Sequence, residues 1–170
     1  MRPGVGRLLS DRVLVRAAAL ALTAAGAPAP GAIGLILTGD AEIAALNVAH
    51  LGHQGPTDVL SFPLLPPSAF PRHPGQDASL RVRSGDVPGS AFARPPGSRV
   101  HLGEIVVSVE RAIEQAQAGR GGQTGDVRWS AAAELRLLLT HGVLHLCGWD
   151  HAHPKEAAAM RALEQDLLAG

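Results

Sequence analysis

The sequence predicts an α+β fold: one domain over residues 1–170, in which a small mixed sheet packs with helices and the most strongly marked helix is central. Three observations carry the prediction. The chain has 170 residues, which suits one hydrophobic core better than two. Short apolar runs, "AIGLILTGD", "TDVLSFPLL" and "HLGEIVVSV", end in or near turn residues and read as strands. The stretch "WSAAAELRLLLTHGVLHLC" is too long for a strand and apolar enough to be a helix of the core.

In chain order, "SDRVLVRAAALALTAAG" opens with a capping candidate in Ser10 or Asp11, carries apolar residues at helical spacing and stops at Gly26. "AIGLILTGD" comes next as a buried strand and turn, and Asp40 is placed to cap a second helix, "AEIAALNVAH". "TDVLSFPLL" is the next strand, closed by Pro63 and then Pro66-Pro67. Residues 66–99 are rich in Pro, Gly, Ser and Arg without periodicity, and predict a long exposed loop, dispensable for folding. "HLGEIVVSV" returns to strand character. Ser108 then caps a helix "VERAIEQAQ" that stops at the glycines from Gly119 to Gly122. After the central helix, Gly148 is a stop. Pro154 suits the first position of a last helix, "KEAAAMRALEQDLLA".

Composition narrows the function classes. The formal net charge is zero, so no global field draws the chain to polyanions, and any nucleic-acid contact rests on a local arginine patch. Cys147 is the single cysteine, which excludes an intramolecular disulfide, fits a reducing cytoplasm and suits a small buried hydrophobe. The N-terminal arginines before "AAALALTAAGAPA" imitate a signal peptide. Arg12 and Arg16 split the apolar stretch, however, and the residues beyond it continue as folded domain without a break. A cytoplasmic protein is expected. No apolar run reaches the about 18 residues of a membrane span.

"HGVLHLCGWDH" places His141, His145 and His151 within one short segment. Residues four apart share a helix face, so His141 and His145 present two imidazoles to one point. Gly148 lets the chain leave the helix and double back, bringing His151 to the same point as a third ligand. Three protein ligands leave a tetrahedral Zn²⁺ one open position, the arrangement of a catalytic rather than a structural site. One zinc per chain is expected. The central helix is in this respect metalloprotease-like, since the metzincins carry H-E-x-x-H-x-x-G-x-x-H. Gly142 stands where a peptidase carries its general-base Glu, which argues against peptide hydrolysis.

With these residues, the chain resembles the YbeY endoribonucleases, bacterial rRNA maturation factors whose signature is H-G-x-L-H-L-x-G-Y-D-H; Trp149 stands at the aromatic position. "LTGDAEIAALN", "PTDVLSF" and "LGEIVVSVERA" resemble the family in the same order, and the likeness runs from about Leu35 to Leu168. The resemblance implies a zinc-dependent endoribonuclease of single-stranded RNA, acting at the 3′ end of small-subunit rRNA and in ribosome quality control, with His141, His145 and His151 as metal ligands. It implies ribosomal partners and no membrane. One departure stands out: many members carry an arginine before the P-T-D segment where this chain has Leu51. His50, His53, Arg94 and Arg99 are the candidates to replace that cation as substrate contacts.

Asp58, Ser61 and Asp150 are candidate catalytic residues, the two acids each with a structural alternative. Asp58 is also a turn former, and Asp150 either orients a ligand imidazole or caps the following turn. Glu104 reads as structural, and His153 is a second possible ligand two residues off the pattern. The attacking group is a zinc-activated water or the RNA 2′-hydroxyl, and no residue is assigned as general base. The alternative from another class is a ribosome-assembly binding factor in which zinc fixes the fold and cleavage is weak or absent.

Overall fold

The computed structural model of the chain describes residues 8–74, 99–119 and 129–170. Helix α1 is Asp11–Ala24, whose buried positions Leu14, Ala18 and Ala21 fall at helical spacing. Ser10 precedes it in extended geometry without a side-chain capping bond, and Gly26 turns the chain away with φ 67°. Strand β1, Gly31–Thr38, leads into helix α2, Asp40–Leu51.

The capping position of α2 is Gly39, one residue earlier than the sequence suggested. Asp40 lies in the first turn and does different work. Its carboxylate accepts from the Ser108 hydroxyl at 2.6 Å and pairs with Arg111 at 3.0 Å, and its backbone N–H donates to Glu110 at 2.6 Å. The Asp thus ties the end of β1 to the strand beside it.

Strand β2 is Val59–Pro63 and strand β3 is Val100–Ser108. The sheet is mixed, in the order β1-β3-β2, with β1 parallel and β2 antiparallel to the central β3. Central position explains the near-continuous apolar sequence of β3, which is covered on both sides. Val106 joins Ile43 of α2 and Leu60 in one small cluster, while Ile105 and Val107 belong to the main core. Pairing with β1 jumps from Ala32↔His101 to Ile33↔Gly103, leaving Leu102 as the extra residue of a β-bulge.

Helix α3, Val109–Gln117, begins as expected at Ser108, whose hydroxyl accepts the Arg111 N–H at 3.2 Å. The central helix α4, Ala131–Leu146, is capped by the Ser130 hydroxyl, which accepts the Ala133 N–H at 3.1 Å. It crosses the sheet with Leu135, Leu139, Val143 and Leu144 buried. Helix α5, Pro154–Ala169, has its proline in the first turn. No helix among the described residues is long and apolar enough to cross a membrane.

The exposed loop expected over 66–99 is corrected in its first part. Residues Pro67–Ala69 form a 3-10 turn, and Phe70 and His73 are buried at 7% exposure each. Phe70 belongs to the main core, and Pro67 sits against Gly148. Helical or strand periodicity does not reveal a single aromatic anchor between prolines, which is why composition alone placed this stretch in solvent. Residues 75–98 lie outside the described residues. Phe70→Ala is expected to destabilise the protein by about 3 kcal/mol, read as a lowered urea midpoint with unchanged slope; an unaltered midpoint would show that the ring is not anchored.

Candidate metal centre

Helix periodicity does what the spacing promised: His141 and His145 leave α4 on one side, and the turn after Gly148, at φ 83°, returns His151 to them. One ligand-capable atom from each of the three lies within 4.8 Å of the others, so the described residues contain a triad able to hold a metal ion. The His141 and His145 rings meet edge-to-face with centroids 4.5 Å apart, and the His151 ring lies 5.7 and 5.1 Å from them.

The hydrogen bonds fix how two of these rings are turned. The Nδ1–H of His141 donates to the Glu164 carboxylate at 2.7 Å, and the Nδ1–H of His145 donates to the Trp149 carbonyl at 2.9 Å. A carbonyl oxygen can only accept, so His145 must carry its proton on Nδ1. The two Nε2 atoms then face each other at 2.9 Å. Two inward lone pairs at that distance repel unless a cation or a proton lies between them, and an additional imidazole beside them completes a nitrogen donor set suited to a borderline-soft divalent metal. The residues therefore fit a metal.

Burial and the neighbouring histidines push His145 down to about 4, which keeps its ring neutral at pH 7, the form that ligates. His73, stacked on Trp149 with centroids 4.1 Å apart, is also lowered, chiefly by burial. In the unfolded chain both rings take up a proton near the ordinary 6.5. Their contribution to stability is therefore whole above that value and is lost as the pH falls through each ring's lowered folded value, about 4 for His145. Urea midpoints of chelator-treated protein should drop between pH 6.5 and 4; a flat profile there would contradict the burial of these rings.

Glu164 was not singled out from the sequence. It lies 23 residues beyond His141 on α5 and is 8% exposed. The signal available was an acidic residue at a core-facing helical position. Of the two roles open to Asp150, the turn is the one its hydrogen bonds serve: its carboxylate accepts the His151 N–H at 2.7 Å, and its own N–H donates to Glu156 at 3.1 Å. His153 is the exposed capping position of α5 and does not join the triad.

The triad borders a cleft of about 710 Å³, whose walls include Asp58, Glu134, His141, His151, Arg161 and Glu164. Asp58 lies at its edge with both carboxylate oxygens engaged, one by the Val59 N–H at 2.9 Å and the other by Gln115 at 3.0 Å. Ser61 points elsewhere. Its hydroxyl donates to the Gly142 carbonyl at 3.1 Å and pins α4 to β2. Gly142 itself faces the sheet, where an added Cβ would come within 2.8 Å of Ile105 Cγ2. A peptidase's glutamate has no room there, and a side chain at this position would not face the cleft.

Leu51, His50, His53 and Arg99 are exposed and do not line the cleft. Arg99 precedes β3, whereas Asp58 bonds through its carbonyl to Ser108 at the opposite end of that strand. Arg94 lies outside the described residues. Glu104 is exposed on β3 and covers Gly34, as a structural residue would. Cys147 is buried, and burial pushes its thiol up to about 12.

A family model described as "Endoribonuclease YbeY" matches residues 10–170. A protein of that name from Dehalococcoides mccartyi is 33% identical over 167 residues, covering 98% of this chain and 84% of the relative. One from Moorella thermoacetica is 37% identical over 160 residues, covering 94% and 83%, and one from Symbiobacterium thermophilum is 36% identical over 152 residues, covering 89% and 79%.

Proposed function

The chain belongs to the endoribonuclease YbeY family, and from that premise we propose that it is a zinc-dependent endoribonuclease cutting single-stranded RNA, with one Zn²⁺ held by His141, His145 and His151. Its natural substrate would be the 3′ end of small-subunit rRNA, in maturation and quality control, in the cytoplasm and alongside ribosomes or their assembly factors. The observation that supports the reading best is the triad itself, with two Nε2 lone pairs turned inward by fixed Nδ1 partners on the wall of an open cleft.

Bound there, zinc supplies Lewis acidity toward a phosphodiester. The chain's own residues prepare for it. Glu164 and the Trp149 carbonyl hold the imidazoles in the ligating tautomer and raise the basicity of Nε2. Asp150 and Glu156 hold the turn that carries His151. Asp58 stands beside the cleft with its carboxylate held by the Val59 N–H and Gln115. No general base is assigned.

Incubating purified protein with a labelled single-stranded RNA, with and without chelator and beside His141→Ala, tests the reading. Cleavage that needs both metal and His141 is expected. Stoichiometric zinc without cleavage would favour a binding factor. Glu164→Ala should weaken zinc binding by about 10–100-fold while leaving the stoichiometry at one, and Glu164→Gln, which keeps an acceptor, should lose less. Competition with a zinc-binding dye measures both.

A further inference from the structure

Helix α5 presents one stripe to the cleft: Pro154, Ala157, Arg161 and Glu164, with Met160 beside them. The spacing of three and four residues is that of a single helix face. Glu164 fixes the direction of this face, because its carboxylate is 2.7 Å from His141 Nδ1. Arg161 lies one turn earlier on the same wall, between Glu164 and the turn that bears His151.

Among the described residues that line the cleft, Arg161 is the one lysine or arginine, and it is exposed. It makes no ion pair among the described residues, although three carboxylates share the cleft with it. Glu164 is held by His141, Glu134 accepts from Trp129 Nε1 at 2.6 Å, and Asp58 is held by Val59 and Gln115. A guanidinium left without a counter-ion beside a polar, open cleft has its planar donor fork available for an anion.

We propose that Arg161 is a phosphate contact of this cleft, binding a phosphodiester of the RNA strand close to the histidine triad. The inference rests on the nuclease reading for the identity of the anion, and the contact itself rests on the placement of Arg161. Bidentate pairing with non-bridging oxygens would set the strand's register along α5 and offset negative charge at the neighbouring phosphate. Because the residue is exposed and helical, alanine removes the charge without opening a cavity or lowering helix propensity.

The test is single-turnover cleavage and equilibrium binding of one labelled single-stranded oligoribonucleotide over a salt series. The proteins are zinc-loaded wild type, Arg161→Ala, Arg161→Lys and Arg12→Ala, the last removing an exposed arginine of α1. Arg161→Ala is expected to lose about 10-fold in affinity and in kcat/KM, and to lower the salt slope of binding by about 0.7. Arg161→Lys should restore the slope but only part of the rate, Arg12→Ala should match wild type, and all four should keep zinc and melting temperature. Equal affinity, rate and slope for wild type and Arg161→Ala would overturn the proposal. A wild type that binds RNA through Arg161 without cutting it would remove the nuclease reading and leave the contact standing; one that neither cuts nor binds in an Arg161-dependent way would remove both.

Discussion

His145→Ala should abolish stoichiometric zinc and lower RNA cleavage by about 10³-fold or more, the scale of loss when a group that acts as part of a unit is removed. Its ring is fixed at both nitrogens: its Nδ1 donates to Trp149 and its Nε2 meets His141, and burial keeps it neutral at pH 7. Deleting it leaves His141 and His151 as a two-nitrogen site, too few donors to retain a borderline metal against competing chelators. Metal analysis alongside cleavage separates the two effects. Full zinc content in His145→Ala, or in a variant lacking all three histidines, would show that the metal sits elsewhere. Full zinc in wild type with no cleavage would leave the donor set intact and remove the enzyme.

The second large effect is expected far from the histidines. Gly103→Ala should destabilise the fold by about 4 kcal/mol, among the heavier costs of a single methyl group. Its φ of 143° is one that side chains rarely adopt. An added Cβ would fall on the Phe62 carbonyl oxygen and within 2.8 Å of Leu146 Cδ2. The oxygen belongs to the backbone of β2 and the leucine to the end of α4, so relief requires moving a strand or a helix that is packed on its other side. Urea unfolding measures the loss. A midpoint equal to wild type would mean that the bulge can relax locally.

The range of each signal decides how much of the molecule is legible in its sequence. The order of helices and strands was readable because each element announces itself within its own span: Ser108 caps α3 where a capping residue was expected, and Pro154 opens α5. The triad was readable for the same reason, its three rings lying within one helix and one turn. Contacts that join distant segments were not. Glu164 reaches His141 from another helix, and Arg161 enters the cleft only because α5 folds beside α4. Phe70 is one anchor without a period. Gly103 sat in plain view inside a strand pattern, where a lone glycine signals a bulge. Asp40 was placed in the right turn with the wrong role, because the bonds it makes to Ser108 and Arg111 cross the sheet.

The burial of Cys147 has a use beyond packing. Only a thiolate reacts with alkylating reagents, and a thiol held near 12 inside the core offers almost none at neutral pH. In the unfolded chain the same group returns to ordinary reactivity. A single thiol with this contrast turns the chain into its own recorder of opening events: each alkylated molecule is one that exposed the end of α4. Cys147 lies two residues after His145, so the opening it records is that of the segment carrying the triad. Labelling rates across a series of free zinc concentrations would therefore measure how far metal occupancy closes that segment, with no substrate and no assay of turnover.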